Sequence, residues 1–300
     1  MNITRLDHII ELAASKPRKR VVVACGQDKH SICAISEAID RGIVDATMIG
    51  DETCIKQVCQ VEGIDPGKFQ VVHESDEISS GAIAVDMVNS GDADFIMKGL
   101  ISSDKYLKAL LNKKRGLIDP GSILAHIAVI EVPSYHKLLI ISDVAIIPQP
   151  DLAQKVQIAK NLIHTAHNIG IDNPKIAVVA PTEKVNPRIE SSVHAALLTK
   201  MSQRGQIEGG VIDGPLALDL AIDAESCRIK GIKSSVAGDA DCILMPNLDA
   251  GNVFYKSLTK LGGAESAAVV MGTRKPSLLT SRGDSARSKL YSIALGALMS

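Results

Sequence analysis

Apolar positions recur along this chain in two alternating patterns. Short aliphatic runs, the signature of strands buried on both faces, predict strands over 21–25, 46–49, 69–72, 95–98, 127–132, 138–141, 176–180, 242–245 and 267–271, and Val211–Pro215 reads as a strand that passes into a turn. Between them, apolar residues return every three or four positions, as on a helix with one buried face. These segments predict helices over 2–14, 30–41, 52–61, 77–89, 102–112 and 188–204, with a short one over 216–222. A further helix opens at Pro150-Asp151, with Leu152, Val156, Ala159, Ile163 and Ala166 on one face. Asp151-x-x-Gln154 is its start signal and Gly170 its stop. Pro246-Asn247-Leu248-Asp249-Ala250-Gly251-Asn252 leads into a helix that ends near 261. Repeated strand–helix order implies an α/β fold with mostly parallel sheets. The alternation breaks and restarts near Pro133.

The end of the chain departs from the average. Its formal net charge is −1, yet Arg274, Lys275, Arg282, Arg287 and Lys289 gather around a single acid, Asp284. Leu290, Ile293, Ala294 and Ala297 then fall at helical spacing. Ser281-x-x-Asp284 matches the capping-box pattern, which predicts a helix start there. A helix N-terminus presents unpaired N–H groups and the positive end of a dipole, so it holds anions. Ser281 adds a hydroxyl, Arg282 a forked guanidinium and Gly283 a place for close backbone approach. Two readings stay open, an anion site and an ordinary capped helix on a solvated basic face; the first is favoured. In open α/β sheets ligands collect at the carboxyl ends of strands. The polar residues expected there are Lys98-Gly99, Asp143, Asp213-Gly214, Asn247 and Ser281-Arg282, although turn chemistry accounts for some of them.

Composition narrows the classes. A chain of 300 residues suggests two domains, and 46% hydrophobic residues supply a large core. With three Phe, four Tyr and no Trp, that core is aliphatic. The six cysteines show no C-x-x-C pair and no zinc spacing, as expected of buried free thiols in a reducing cytoplasm. The first residues lack a secretory h-region, and no apolar run approaches the ~18 residues of a membrane span. Neutral charge and few aromatics argue against nucleic-acid binding. The phosphate loops G-x-x-x-x-G-K-[ST] and G-x-G-x-x-G are absent, as are G-x-S-x-G and H-E-x-x-H. His164 and His167 lie on a helix that reads as structural, and no metal site is expected.

Six motifs in order carry a family resemblance. They are Gly91-Asp92-Ala93-Asp94 with Met97-Lys98-Gly99; Ile141-Ser142-Asp143; Val211-Ile212-Asp213-Gly214-Pro215-Leu216-Ala217-Leu218-Asp219; Val236-Ala237-Gly238-Asp239-Ala240-Asp241; Pro246–Asn252 with Tyr255-Lys256; and Leu279-Thr280-Ser281-Arg282-Gly283-Asp284-Ser285. Over roughly 20–300 the chain resembles the phosphate acetyltransferase/phosphate butyryltransferase family, and is closer to the butyryl branch. The resemblance implies that acyl-CoA and inorganic phosphate exchange reversibly with acyl phosphate and CoA, by direct attack in a ternary complex. It implies a two-domain fold like that of the isocitrate/isopropylmalate dehydrogenases, with the site in the interdomain cleft. The first domain would take 1–136 plus 273–300, the second 137–272. CoA is implied as a substrate, with no permanently bound cofactor. A homodimer or higher homo-oligomer is implied, in the cytoplasm, without nucleic-acid or membrane partners.

By the same resemblance Ser281 and Arg282 lie at the phosphate and the reacting thioester. Lys98, Ser102, Ser103, Asp143, Asn247, Asn252, Lys256 and Gly283 become candidates for binding phosphate or CoA, and the basic run Lys113-Lys114-Arg115 either meets a CoA phosphate or ends a solvated helix. Acetyltransferase members place an aspartate, the proposed base for the CoA thiol, seven residues after the motif serine; Ser288 stands there in this chain. Asp284 is the nearest carboxylate. Either it is the base, or it only caps the helix and the base lies elsewhere, as at Asp143, or is dispensable. Two other functions compete: a metal-dependent NAD(P) hydroxyacid dehydrogenase on the same fold, and a non-catalytic protein that binds CoA or acyl phosphate. The first needs clustered metal-binding aspartates, which Asp143, Asp213 and Asp249 do not form by spacing. Against the second stands the intact Ser281-Arg282-Gly283-Asp284 turn.

Overall fold

The computed structural model describes residues 3–281 and 283–300. The chain divides into two compact units, one of Asp7–Leu124 with Ala267–Ser300, the other of Ala125–Ser266 with the described residues up to Leu6. In chain order the elements are α1 (Leu6–Ala14), β1 (Lys19–Ala24), α2 (Lys29–Asp40), β2 (Val44–Gly50), α3 (Glu52–Glu62), β3 (Gln70–His73), α4 (Glu77–Ser90), β4 (Phe95–Lys98) and α5 (Ser103–Leu110). Then follow β5 (Ala125–Glu131), β6 (Leu139–Ser142), α6 (Leu152–Asn168), β7 (Lys175–Val179), α7 (Glu190–Gln203), β8 (Val211–Leu216), α8 (Leu218–Ile222), α9 (Ala224–Lys230), β9 (Cys242–Leu244) and α10 (Leu248–Lys260). Last come β10 (Glu265–Met271), β11 (Ser277–Leu278) and α11 (Ala286–Leu298).

The sheet of the first unit runs β3-β2-β1-β4-β11-β10. Its strands are parallel except β10, which is antiparallel to β11. That of the second runs β5-β6-β9-β7-β8, parallel except for β5 against β6. So the α/β class and the mostly parallel strands follow the alternation in the sequence. The strands are aliphatic because helices cover their faces: Val21, Val22, Val23 and Ala24 of β1 are buried, as are Leu139, Ile140 and Ile141 of β6. Aspartates open several of the helices. Asp28, Asp51, Asp76 and Asp151 accept the N–H of Ser31, Cys54, Ser79 and Gln154, which for the first three holds the helix start just past a strand's carboxyl end. Asp151 and Gln154 form the complete capping box that their spacing predicts.

Three expectations change. The helix expected to start at Ser281 begins at Ala286, capped by Ser285, whose side chain accepts the Ser288 N–H. Asp213-Gly214 lies inside β8 rather than past its end. β11 and α9, two short elements, had no periodic signal because two and seven residues are too few to show one.

Candidate active site

In the unit of Asp7–Leu124 and Ala267–Ser300, β1, β4 and β11 are adjacent and parallel, with Ala24 opposite Lys98 and Leu278 opposite Met97. Three segments therefore leave the same sheet edge together: Cys25-Gly26-Gln27-Asp28, Lys98-Gly99-Leu100 and Leu279-Thr280-Ser281. The first two interlock. The N–H groups of Gly99 and Leu100 donate to the carbonyls of Ala24 and Cys25 at 2.9 and 2.8 Å. A Cβ on Gly99 would lie 2.2 Å from the Cys25 carbonyl oxygen, so the approach requires glycine. Cys25 itself sits at φ 55°, and its N–H donates to Ser80 Oγ at 2.9 Å. Lys98 is buried, with Nζ 3.2 Å from the Gly99 carbonyl. Ser102 stands at the N-cap of α5 and its N–H donates to Glu77; Ser103 begins the helix. Of the nearby basic run, Arg115 pairs with Asp86.

Ser281 to Asp284 form a turn of their own ahead of α11. The Asp284 carboxylate accepts the Ser281 N–H at 2.7 Å, and the Asp284 N–H donates to the Ser281 carbonyl at 3.2 Å. Ser281 Oγ accepts the Gly283 N–H at 3.4 Å. Asp284 thus reaches back to Ser281 as the acid of a capping box does, but the helix itself is capped four residues later. Ser281 is exposed and Asp284 half-buried, a geometry open to ligand. Arg282 lies outside the described residues. Ser288, where acetyltransferase members carry the aspartate, is held at the first turn of α11 by Ser285.

The remaining candidates belong to the other unit. Parallel β6 and β9 end side by side, with Ser142 opposite Leu244. Asp143 follows β6 and is 2% exposed. Its carboxylate accepts the N–H groups of His126, Ala145, Ile146 and Ile147 at 2.8 to 3.3 Å, so it shapes the loop 143–147. Asn247 caps α10 by accepting the Ala250 N–H, and Asn252 Nδ2 donates to the Val144 carbonyl at 3.0 Å. A Cβ on Gly251 would stand 2.1 Å from the Asp143 carbonyl oxygen, so α10 packs directly on that loop. Lys256 is exposed, its ammonium 5.7 Å from the Tyr255 ring centroid. The Pro246–Asn252 motif therefore builds and seats one helix against one loop.

Sequence reasoning missed the burial of two lysines, counting Lys289 only among the basic residues of the chain end and passing over Lys155. Lys289 on α11 is 1% exposed, its Nζ 3.2 Å from Ser31 Oγ and 3.4 Å from Thr280 Oγ1. Lys155 on α6 is 2% exposed and meets His194 Nδ1 at 3.2 Å. Burial lowers the pKa of both lysines. The only signal in the sequence was a lysine in an otherwise apolar helical stripe, and that also describes a side chain reaching to solvent. Among the described residues no three His, Cys, Asp or Glu side chains gather as a metal site, and no helix is long and apolar enough to cross a membrane.

Comparison with known proteins gives a consistent result. The family model described as "Phosphate acetyl/butaryl transferase" matches residues 5–82 and 77–297. The phosphate butyryltransferase of Clostridium acetobutylicum is 42% identical over 297 residues, covering 99% of this chain and 98% of that protein. The phosphate acetyltransferase of Thermotoga maritima is 38% identical over 293 residues, covering 98% and 99%. Among solved structures, a branched-chain phosphotransacylase from Enterococcus faecalis superposes with a TM-score of 0.81 at 30% identity, covering 93% of this chain and 99% of that one.

Proposed function

The chain belongs to the phosphate acetyltransferase/phosphate butyryltransferase family and is an acyltransferase that moves an acyl group reversibly between CoA and inorganic phosphate; from this premise we propose that its acyl group is butyryl and that phosphate attacks the thioester directly in a ternary complex. The preference for butyryl rests on the greater identity to the butyryltransferase than to the acetyltransferase. The observation that carries the mechanism is the exposed Ser281–Asp284 turn at the carboxyl end of β11, beside the Lys98-Gly99 turn of β4.

In the forward direction a phosphate oxygen bonds to the thioester carbonyl carbon, the C–S bond breaks, and the CoA sulfur leaves with the pair and takes up a proton. In reverse, a base removes that proton. Arg282 holds phosphate through paired hydrogen bonds, which also aim its attacking oxygen. Orientation of two bound reactants contributes about 7–11 kcal/mol in favourable cases. The Ser281 hydroxyl donates to the oxyanion that develops on the carbonyl. Asp284 serves as the base, with the oxygen that does not hold the Ser281 N–H. Lys98, Ser102, Ser103 and Gly283, together with Asn247, Asn252 and Lys256, bind phosphate or CoA, and Asp143 acts through the loop it shapes.

The reading extends to a two-domain, isocitrate/isopropylmalate dehydrogenase-like organisation, domains 1–136 plus 273–300 and 137–272, with catalysis in an interdomain cleft. Its support is the family resemblance. CoA is a substrate with no resident cofactor, and the enzyme works as a homo-oligomer in the cytoplasm. The test is CoA thiol release from acetyl-, propionyl-, butyryl- and isobutyryl-CoA, with and without phosphate. Phosphate-dependent release with the highest kcat/KM for butyryl-CoA is expected. Release that ignores phosphate would make the protein a thioesterase. No release from any of the four would overturn the reading.

A further inference from the structure

The Ser281–Asp284 turn is closed by hydrogen bonds among its own residues. Such a turn keeps its shape without being aimed; its flanks must set its direction. On the far side Ser285 caps α11. On the near side stands Thr280, whose side chain is buried at 2% exposure. Thr280 Oγ1 lies 3.4 Å from Lys289 Nζ, and the same ammonium lies 3.2 Å from Ser31 Oγ on α2. Asp28, the N-cap of α2, is 4.0 Å away; its Oδ1 accepts the Ser31 N–H. One ammonium therefore joins the segment leaving β1, the segment leaving β11 and the helix that follows the turn.

Stability alone does not account for a lysine here. From 289 to 297 every residue of α11 is buried, and the others are apolar, small or tyrosine. An ammonium in such a place loses its hydration, and a carboxylate 4.0 Å away with two hydroxyls restores only part of it. Burial indeed lowers its pKa, against the opposing pull of Asp28 and Asp284. An aliphatic side chain would pack there without that cost. Helical side chains lean toward the N-terminus of their helix, so position 289 is well placed to reach back under the turn.

We propose that Lys289 is a positioning residue for acyl transfer: by tying Thr280 to Ser31 and Asp28 at the start of α2, it aims Ser281, and the turn that Ser281 closes with Asp284, at the bound phosphate. The proposal rests on the assignment of Ser281 and Arg282 to the reacting phosphate. Lysine acts through Thr280 and does not touch substrate.

The experiment is steady-state kinetics of Lys289→Met, Lys289→Arg, Thr280→Val and the Lys289→Met/Thr280→Val double variant, with phosphate and butyryl-CoA varied separately and Tm measured for each. Lys289→Met keeps volume and removes the donor. Its kcat/KM for phosphate is expected to fall about 10²-fold, the scale of a misplaced reacting group, with KM for butyryl-CoA and Tm little changed. Thr280→Val should fall in the same direction, and the double variant should lose no more than Lys289→Met alone, because both break one link. Lys289→Arg, which keeps the donor, should recover part of the loss. An unchanged kcat/KM for phosphate in Lys289→Met overturns the proposal, as do losses that multiply in the double variant. Equal losses toward both substrates with a lowered Tm would reduce Lys289 to a packing role and overturn it too. Should Lys289→Met not fold, Thr280→Val and Lys289→Arg decide by the same split. Wild-type protein without phosphate-dependent turnover would instead overturn the function itself, and the proposal with it.

Discussion

The Asp284 carboxylate accepts the Ser281 backbone N–H at 2.7 Å, so the acid and the serine share one closed turn ahead of α11. The turn brings the acid to the serine without making it the cap of the helix.

That relationship makes Asp284→Asn informative. Asparagine keeps an oxygen for the Ser281 N–H and removes the base. A loss of about 10²–10⁴ in kcat is expected with Tm preserved. A loss under about tenfold would leave Asp284 as the holder of the turn only.

Ser281 and Ser285 separate chemistry from capping. Ser285→Ala removes the N-cap of α11 and should lower stability by about 0.5–2 kcal/mol, read from denaturant unfolding. Ser281→Ala removes no cap; it should lower kcat by about 10²–10³, leaving stability nearly unchanged. The opposite pattern would return the helix start to Ser281.

Gly251→Ala should be among the more damaging small substitutions. The added Cβ would stand 2.1 Å from the Asp143 carbonyl oxygen, which is backbone and has little room to move. A loss of about 1–3 kcal/mol is expected, with activity falling as the 143–147 loop shifts. Thermal unfolding beside kinetics checks both.

Asp239 links stability to acid pH. Burial alone would raise its pKa, but hydrogen bonds from Lys175, Lys137 and His136 outweigh it and hold the carboxyl well below the usual range. A folded-state pKa below the unfolded one stabilises above the unfolded value, about 3.9, and that contribution is lost as pH falls through the folded one. Asp239→Asn should therefore lower the urea midpoint at pH 7 and flatten its decline below about pH 4. An unchanged decline would show that other carboxylates set it.

Much of the fold was legible because its signals are local. An aliphatic run such as Val21-Val22-Val23 reads as a strand buried on both faces, and Asp151-x-x-Gln154 as a helix start, because each depends on neighbours within one turn of chain. The candidate site was legible only as a set of motifs. Pro246–Asn252 could be placed past a strand, but not its use in seating α10 through Asn247, Gly251 and Asn252. That use depends on Val144 and Asp143, about a hundred residues earlier.

By itself, then, the sequence determined the α/β class, the order of strands and helices, the aliphatic core, and the family with its reaction, since composition, periodicity and ordered motifs all lie along the chain. Tertiary structure decided that α11 is capped by Ser285 and not by Ser281, that Asp143 spends its oxygens on backbone N–H groups, and that Lys289 meets Thr280, Ser31 and Asp28 in the interior. The Lys289 contacts join residues far apart in sequence, whereas the Ser285 cap and most of the Asp143 bonds are local choices among several acceptors and donors that the sequence offers equally. A hydroxyl, a carboxylate or an ammonium can satisfy several partners equally well, and only packing chooses among them.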